Sequence, residues 1–442
     1  MAQSLLTRST LVFTVSVWWR LHTQGLLVAA DNDVIAGYMP VSDVVEHSEI
    51  DLDMAEMETA ADLETDAGFL DAFNVYNIGG NSVKTDSNRT IRGFSTSAEE
   101  KLTGEPWFDV YESYWGSPTY ADDFTSAACN GEGAFEDVEA VVRAEGCVKG
   151  AQYQNVWMYV IHEMEDAISD CKKGDLTAND GGPHAWDEGW AFYAGSLEEV
   201  DGSGDGKLLY ALADKRCENF KTCSGDEDGN DLSGTAAVNK EILELFREGV
   251  QYLLDGNCDD VTAIKDKIVD LMTIPLVQGL LRYVYLADPQ GGQGADKEAA
   301  ELWAFSAAVL PRIHECNEDV ASIIEANTNI ESIDAPVSDG YVEIKAQIEK
   351  VYECLGMTCD DVGGLLMEGA TSYVSGMEPC KSSGGEDLSA GEIAGISIVV
   401  VAVVGIIGFC LYRSRRKSKG VDHSAGDVGL GGFGNKGATS TL

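Results

Sequence analysis

Basic residues are scarce in this 442-residue chain, which holds 30 lysines and arginines against 75 aspartates and glutamates, a formal net charge of −45. The only concentration of positive charge is the run from Arg413 to Lys419. Because nucleic-acid phosphates must be neutralised by lysine and arginine, this composition argues against a nucleic acid partner. A strongly acidic surface instead concentrates cations around it. Solubility in a salty medium would account for many of the same acidic residues.

Familiar catalytic motifs are also missing: the chain has no GxSxG, no P-loop and no glycine-rich dinucleotide turn. His162-x-x-Glu165 resembles part of a zinc hydrolase motif, but the second histidine of the zincin signature is absent and Asp166 stands in its place. We therefore expect a protein that is not an enzyme. Two alternatives stay open, a metal-dependent hydrolase with an imelysin-like HxxE site and a structural protein of the cell surface.

Runs that alternate like β-strands are rare, whereas segments with apolar residues at three-to-four spacing are frequent. This spacing indicates amphipathic helices. The predicted helices are 49–72, 136–143, 155–171, 239–254, 261–286, 297–313 and 341–355. Loops rich in glycine or aspartate separate them, so the sequence predicts a mainly α fold of the bundle type.

The two ends of the chain carry targeting patterns. Residues 1–30 combine an apolar run with a terminal pair of small residues, which predicts a secretory signal peptide; an N-terminal amphipathic helix is the alternative. A linker, 381–392, precedes the uncharged segment 393–412, which is long enough to span a bilayer. The basic residues that follow place the tail, 413–442, in the cytoplasm. We expect a type I plasma-membrane protein that cycles to endosomes.

Of the 11 cysteines, only Cys410 lies in the predicted membrane span. The even set that remains, in a chain with a predicted signal peptide, indicates disulfide bonds whose pairing the sequence leaves open. Zinc is the less favoured alternative because no CxxC occurs. The sequon Asn88-Arg89-Thr90 predicts glycosylation in an extracellular region.

A weak internal repeat divides the predicted ectodomain. The string EGWAF that begins at Glu188 is echoed by ELWAF from Glu301. We therefore predict an N-terminal helical region, 31–130, followed by a first helical half, 131–255, and a second half, 256–380. Only the first half carries the histidines of the repeated strings, so polar chemistry should be concentrated there.

Two helical segments of the first half each offer an imidazole and a carboxylate on one face. His162 and Glu165 are three residues apart, and His184 and Glu188 are four apart. Inward-facing pairs of this kind build metal sites in helical bundles, and carboxylate or phenolate oxygens suit Fe(III). Salt bridges for the histidines and core packing for the aromatic residues would explain the same pattern without a metal. The candidate metal ligands are His162, Glu165, His184, Asp187, Glu188 and Tyr193.

Five strings carry a family resemblance: YVIHEME from Tyr159, HAWDEGWAFYAG from His184, LADKRC from Leu212, PLVQGLLRY from Pro275 and WAFSAA from Trp303. Together they resemble the iron-assimilating, low-iron-inducible periplasmic proteins of algae, to which the phytotransferrins of marine phytoplankton are considered related. The resemblance spans roughly residues 70 to 375. It implies capture of ferric iron at the cell surface, with carbonate as a synergistic anion in phytotransferrins, and delivery inward by endocytosis. It supplies no set of ligand residues.

An accompanying anion needs a fixed cation to offset its charge. Arg282 lies opposite Asp166 in the predicted repeat and is our candidate for the carbonate anchor, with Arg312 as the second choice. Acidification would protonate carbonate, histidine and carboxylates together and release the metal. The tail has no Tyr-x-x-apolar endocytic signal, which leaves room for a partner that is an iron reductase, a transporter or an endocytic receptor.

Overall fold

The computed structural model describes residues 33–199, 203–224, 234–292, 294–330, 333 and 335–381. Within these ranges the fold is helical, and the extended pairings are confined to three isolated bridges, so the prediction of a mainly α protein is confirmed. The predicted signal peptide, membrane span and tail, and the linker apart from Lys381, lie outside the described residues.

Seventeen α-helices follow one another along the described chain. The helices of the N-terminal third are α1 (Val45–Ser48), α2 (Ile50–Ala61), α3 (Asp66–Ile78), α4 (Ile91–Thr96), α5 (Ala98–Lys101), α6 (Pro106–Trp115) and α7 (Tyr120–Asn130). The central helices are α8 (Ala140–Gly150), α9 (Trp157–Lys173), α10 (Gly182–Ala194), α11 (Leu209–Phe220) and α12 (Ala237–Asp255). The last are α13 (Cys258–Ala287), α14 (Asp296–Cys316), α15 (Glu318–Thr328), α16 (Tyr341–Glu349) and α17 (Cys359–Val362).

The prediction of one continuous helix over 49–72 is wrong, because the structure has two helices there, α2 and α3. The break is set by Thr65, whose side chain accepts a hydrogen bond from the Gly68 amide at 3.1 Å and caps the start of α3. A capping threonine satisfies an amide that would otherwise lack a partner, so it favours a new helix start over continuation.

Helices α9 and α10 pack against each other beside the candidate site. A π-helical turn, Ala151–Val156, joins α8 to α9 without a break, and such turns often occur beside functional sites. At the start of α10, a Cβ on Gly182 would lie 2.6 Å from the carbonyl oxygen of Ala167. Only glycine allows the two helix backbones to approach this closely.

The long apolar helix α13 lies in the core. It is the one helix among the described residues with the length and hydropathy to cross a membrane, but 83% of its apolar window is buried inside the fold. It packs against α9, α11, α12 and α14. Its hydropathy is therefore explained by burial between other helices.

Disulfide bonds connect all ten cysteines outside the predicted span, which confirms disulfides over zinc. The pairs are Cys129–Cys147, Cys171–Cys258, Cys217–Cys223, Cys316–Cys354 and Cys359–Cys380. The second pair ties the end of α9 to the start of α13, across the boundary predicted between the two halves. The described residues up to Cys380 form one compact unit, and the internal repeat stays a prediction.

Candidate metal centre

Helix α10 supplies two of the three side chains of the candidate centre. Gly181 precedes its first turn and Pro183 lies within that turn, where the fixed φ of proline suits a helix start. His184 and Glu188 are four residues apart on this helix. Their side chains face each other, with Nε2 of His184 2.9 Å from Oε1 of Glu188. The predicted pairing of these two residues on one helix face is therefore present.

The third side chain is His47, from the four-residue helix α1. Its Nε2 lies 2.8 Å from the same Oε1 of Glu188, and its ring meets that of His184 edge to face at 5.7 Å. One donor atom from each of the three residues lies within 4.8 Å of the others, and among the described residues no other group of histidine, cysteine or acidic side chains converges in this way. The three side chains are 11%, 17% and 23% exposed for His47, Glu188 and His184, so the centre is shielded but reachable.

Two residues behind the centre orient His184. The Ser42 hydroxyl donates to Oδ2 of Asp187 at 2.8 Å and therefore accepts from Nδ1 of His184, which lies 2.9 Å away. Asp187 is fully buried and also accepts hydrogen bonds from Tyr38 Oη and from the amides of Val41 and Ser42. This arrangement fixes the proton on Nδ1 and leaves Nε2 to face Glu188, as supporting carboxylates do for metal-bound histidines.

The protonation states follow from burial and from the shared carboxylate. Burial opposes the charged form of His184, but its hydrogen bond to Glu188 outweighs this and raises its pKa. For Glu188 burial likewise opposes ionisation, and the bonds to both histidines hold its pKa well below the usual range. Burial lowers the pKa of His47. The hydrogen bond between His184 Nε2 and Glu188 Oε1 therefore favours a protonated His184 beside an ionised Glu188.

Helix α9 adds oxygen donors beside the three residues. The Glu163 side chain is 5% exposed and lies close to Glu188, and burial together with the negative charge of Glu188 raises its pKa well above the ordinary value. Tyr159 lies close to Glu163, and burial together with the negative charge of Glu163 raises the pKa of its phenol. One carboxyl and one phenol of α9 thus lie beside the donor set supplied by α1 and α10.

Basic side chains border these acids in an otherwise acidic protein. Arg89 contacts Nε2 of His47 through Nη2, and its guanidinium lies 6.0 Å from the centre of the Phe192 ring. Lys101 donates to Tyr159 Oη at 3.2 Å. Lys84 lies near Arg89 and Lys101 as well as Glu188 and Glu163, and burial lowers its pKa. The metal-free centre is therefore rich in fixed positive charge.

The other predicted metal ligands are bonded elsewhere. His162 Nδ1 lies 2.6 Å from Oε1 of Glu105, and Glu165 accepts from Lys265 Nζ at 2.6 Å. The Tyr193 hydroxyl donates to Oδ1 of Asn239 at 2.5 Å in the core. None of these three predicted ligands belongs to the group of His47, His184 and Glu188. Asp187, which was also predicted as a ligand, accepts a hydrogen bond from Ser42 instead.

The two arginines considered as carbonate anchors also lie apart from the centre. Arg312 is buried and paired, with Nη2 2.8 Å from Oδ1 of Asp270 and Nη1 donating to the carbonyl of Val269 at 3.1 Å. Arg282 lines a cavity beside α11 that contains no member of the centre. The guanidinium at the centre is that of Arg89.

Sequence reasoning missed four residues of this neighbourhood: His47, Arg89, Tyr159 as a donor, and Glu163. His47 lies on a helix too short to show periodicity, and Glu163 is the immediate neighbour of the predicted His162. The useful signal for His47 was scarcity, since the chain has only 6 histidines.

The fold and the site define an all-helical, disulfide-linked protein with a shielded group of metal-ligand side chains. The chain belongs to the family of low iron-inducible periplasmic proteins, whose family model matches residues 24–381 and so covers every residue of the centre. Comparisons with curated proteins and with solved structures gave no match.

Proposed function

We propose that this chain is a cell-surface binding protein for ferric iron that serves iron assimilation, with the metal as its cargo. The observation that carries the proposal is the convergence of His47 Nε2, His184 Nε2 and Glu188 Oε1 within 4.8 Å. Two imidazoles and one carboxylate are a donor set typical of non-haem iron. Membership of a family described as induced by low iron supports the same metal.

The adjacent oxygen donors favour the ferric state over softer or divalent ions. Glu163 and Tyr159 lie beside Glu188, and both hold protons in the metal-free protein because their pKa values are raised. A trivalent cation is the hard acid best able to displace such protons from carboxyl and phenol groups. Iron binding should therefore release protons and place a phenolate on the metal.

The fixed charges give carbonate a role as a second ligand. Arg89, Lys84 and Lys101 would repel a trivalent cation unless an anion entered with it. Carbonate is small enough to fill the coordination positions that the side chains leave open, and the planar fork of Arg89 suits its oxygens. In this proposal Arg89 takes the role that the sequence assigned to Arg282.

Acidification supplies a means of release. Protons compete with the metal for His47, His184, Glu188 and carbonate, so the affinity falls as the pH falls. The proposed cycle is capture at the cell surface, endocytosis and release in an acidified endosome. The predicted membrane span 393–412 would anchor the protein, and a reductase, a transporter or an endocytic receptor would receive the iron.

We favour iron binding over the hydrolase alternative because of the contacts of the HxxE motif. Its HxxE motif depends on His162 and Glu165 acting together, yet these residues bond Glu105 and Lys265 respectively. We therefore propose no catalytic role for this motif.

Calorimetric titration of the full-length protein with a chelated ferric salt, with and without bicarbonate, tests the proposal. We expect binding in the wild type, stronger binding with bicarbonate, and no binding in the combined variant H47Q/H184Q/E188Q. A variant that melts like the wild type and still binds ferric iron with equal affinity would refute the assignment of the centre.

A further inference from the structure

A second polar site lies between α11 and α13, outside the metal centre. Arg216 of α11 and Arg282 of α13 each place their guanidinium carbon 5.9 Å from the ring centre of Tyr283. Both arginines line one cavity of about 510 Å³.

These two arginines are unusual because their buried nitrogens are unpaired. Nε and Nη1 of Arg216, and Nε and Nη1 of Arg282, are buried without a hydrogen-bond partner among the described residues. Arg216 is 8% exposed, so more than nine-tenths of the residue is withdrawn from water. Burying charge without partners is costly, and an anion in the cavity that both arginines line would offset the charge of the two guanidinium groups.

Comparison with Arg312 shows that the fold can pair most of a buried guanidinium with protein groups. Arg312 is 2% exposed, and its Nη1 and Nη2 bond the carbonyl of Val269, Thr273 and Asp270, so that only its Nε lacks a partner. The chain has 75 acidic residues against 30 basic ones, so unpaired arginines are not explained by a shortage of carboxylates.

The cavity lining suits a ligand with several oxygens. Lys215 adds a third cation, and the buried Oδ1 of Asn219 also lacks a partner, so its amide can turn to donate instead. The acidic residues of the lining, Glu218 and Glu368, are exposed and remain in water. The arginine forks match the planar or tetrahedral oxygens of carboxylates and phosphates.

We propose that this cavity binds a small oxyanion whose oxygens accept hydrogen bonds from both Arg216 and Arg282. The cavity volume of about 510 Å³ falls within the range of about 300 to 1,000 Å³ typical of sites for small organic ligands. The preferred ligand is therefore an organic acid with two or more carboxylates, and a free phosphate is the smaller source of the same chemistry. The site does not depend on iron, because it shares no residue with the metal centre.

The test is calorimetric titration of the metal-free, full-length protein with citrate and, separately, with inorganic phosphate at low ionic strength. We expect citrate to bind, and R282Q to weaken its binding at least about 10-fold. R282K should weaken it too, because lysine keeps the charge but loses the fork. R216Q should also weaken citrate binding. If R216Q does not fold because Arg216 is buried, the R282Q variant still tests the proposal, since Arg282 is more accessible.

A matched control separates this site from other cationic groups. R247Q removes an exposed arginine that is bonded to Glu244 and to the carbonyl of Gly37, and it should keep wild-type citrate binding. If phosphate binds as tightly as citrate, the oxyanion site is supported and its ligand is assigned to phosphates instead of polycarboxylates. No binding of either anion, or equal binding in the wild type and in a folded R282Q variant, would overturn the proposal.

Discussion

His47 and His184 lie edge to face, with ring centres 5.7 Å apart, and both direct Nε2 at a single carboxylate oxygen of Glu188. The two histidines come from separate helices, α1 and α10, that are far apart in the sequence. Tertiary packing of α1 against α10 therefore assembles the donor set before any metal arrives. A preassembled site binds without the cost of ordering its side chains.

Replacing His47 tests the part of the centre that sequence patterns could not find. We expect H47Q to weaken ferric binding by more than about 100-fold, because loss of a direct ligand should exceed the 10- to 100-fold cost of losing an outer-shell partner. Competition against a ferric chelator measures the change.

Two other histidines provide matched controls. His162 bonds Glu105 and His314 packs edge-on against Tyr114, and neither belongs to the converging group. H314Q should bind iron as the wild type does, and H162Q should too once its melting temperature shows that it folds. A larger loss of affinity in H162Q than in H47Q would contradict the location of the site.

The sequence predicted the helical fold because apolar spacing is a local property, and it predicted His184 with Glu188 because residues four apart share a helix face. On α9 the sequence predicted His162 as a metal ligand, whereas in the structure it is the neighbouring Glu163 that lies close to Glu188. Successive helix residues point about 100° apart, so this one-residue difference selects another face. The first two turns of α9, from Trp157 to Met164, are buried on every side, so no exposed stripe there marks the face that meets α10. His47 was out of reach because its placement depends on tertiary packing alone.

The hydroxyl of Ser42 should matter for affinity although it is not a ligand. In S42A, His184 Nδ1 loses its acceptor and Asp187 loses one donor, so the tautomer that presents Nε2 is no longer fixed. We expect ferric affinity to fall about 10- to 100-fold. Isothermal titration measures it, and S48A, whose hydroxyl bonds only the carbonyl of Val45 at 2.7 Å, is the control. Equal affinities in S42A and S48A would argue against the orienting role.

We expect substitutions of Tyr159 and Tyr193 to differ in their effect on the visible absorption of the ferric complex. A phenolate bound to Fe(III) absorbs visible light by charge transfer, so the ferric complex should be coloured if Tyr159 is a ligand. We expect Y159F to lose this absorption. Y193F should retain it, because the Tyr193 hydroxyl bonds Asn239 in the core. Visible spectra of the iron-loaded variants measure this absorption. If Y193F alone loses it, Tyr193, the ligand predicted from the sequence, binds the metal instead of Tyr159.

Ferric affinity should fall on acidification. The pKa of His184 is raised in the metal-free protein, so a proton begins to compete with the metal above the ordinary histidine value of about 6.5. For each proton displaced on binding, affinity falls about 10-fold per pH unit, and we expect a loss of at least about 100-fold between pH 7 and 5. Chelator competition across this range measures it. H184Q should show a shallower dependence, and undiminished affinity down to pH 4 would count against release by protonation.

Acid should release the metal without unfolding the protein. Burial raises the pKa of Asp51 and of Asp214 to about 6, and that of Glu198 to about 8, in the folded state. Their unfolded values lie near 4, so between these limits the folded state binds more protons than the unfolded one. The stability that these groups contribute is therefore full below about pH 4 and is lost as the pH rises through 6 and 8.

We accordingly expect the metal-free protein to melt at a temperature about 2 °C or more higher at pH 6 than at pH 8.5, a shift that roughly 1 kcal/mol produces in a large domain. Differential scanning calorimetry measures it. E198Q removes the carboxyl with the highest of the three pKa values and should reduce the difference between the two pH values. A melting temperature that rises with pH in the wild type would show that groups other than Asp51, Asp214 and Glu198 control the pH dependence of stability.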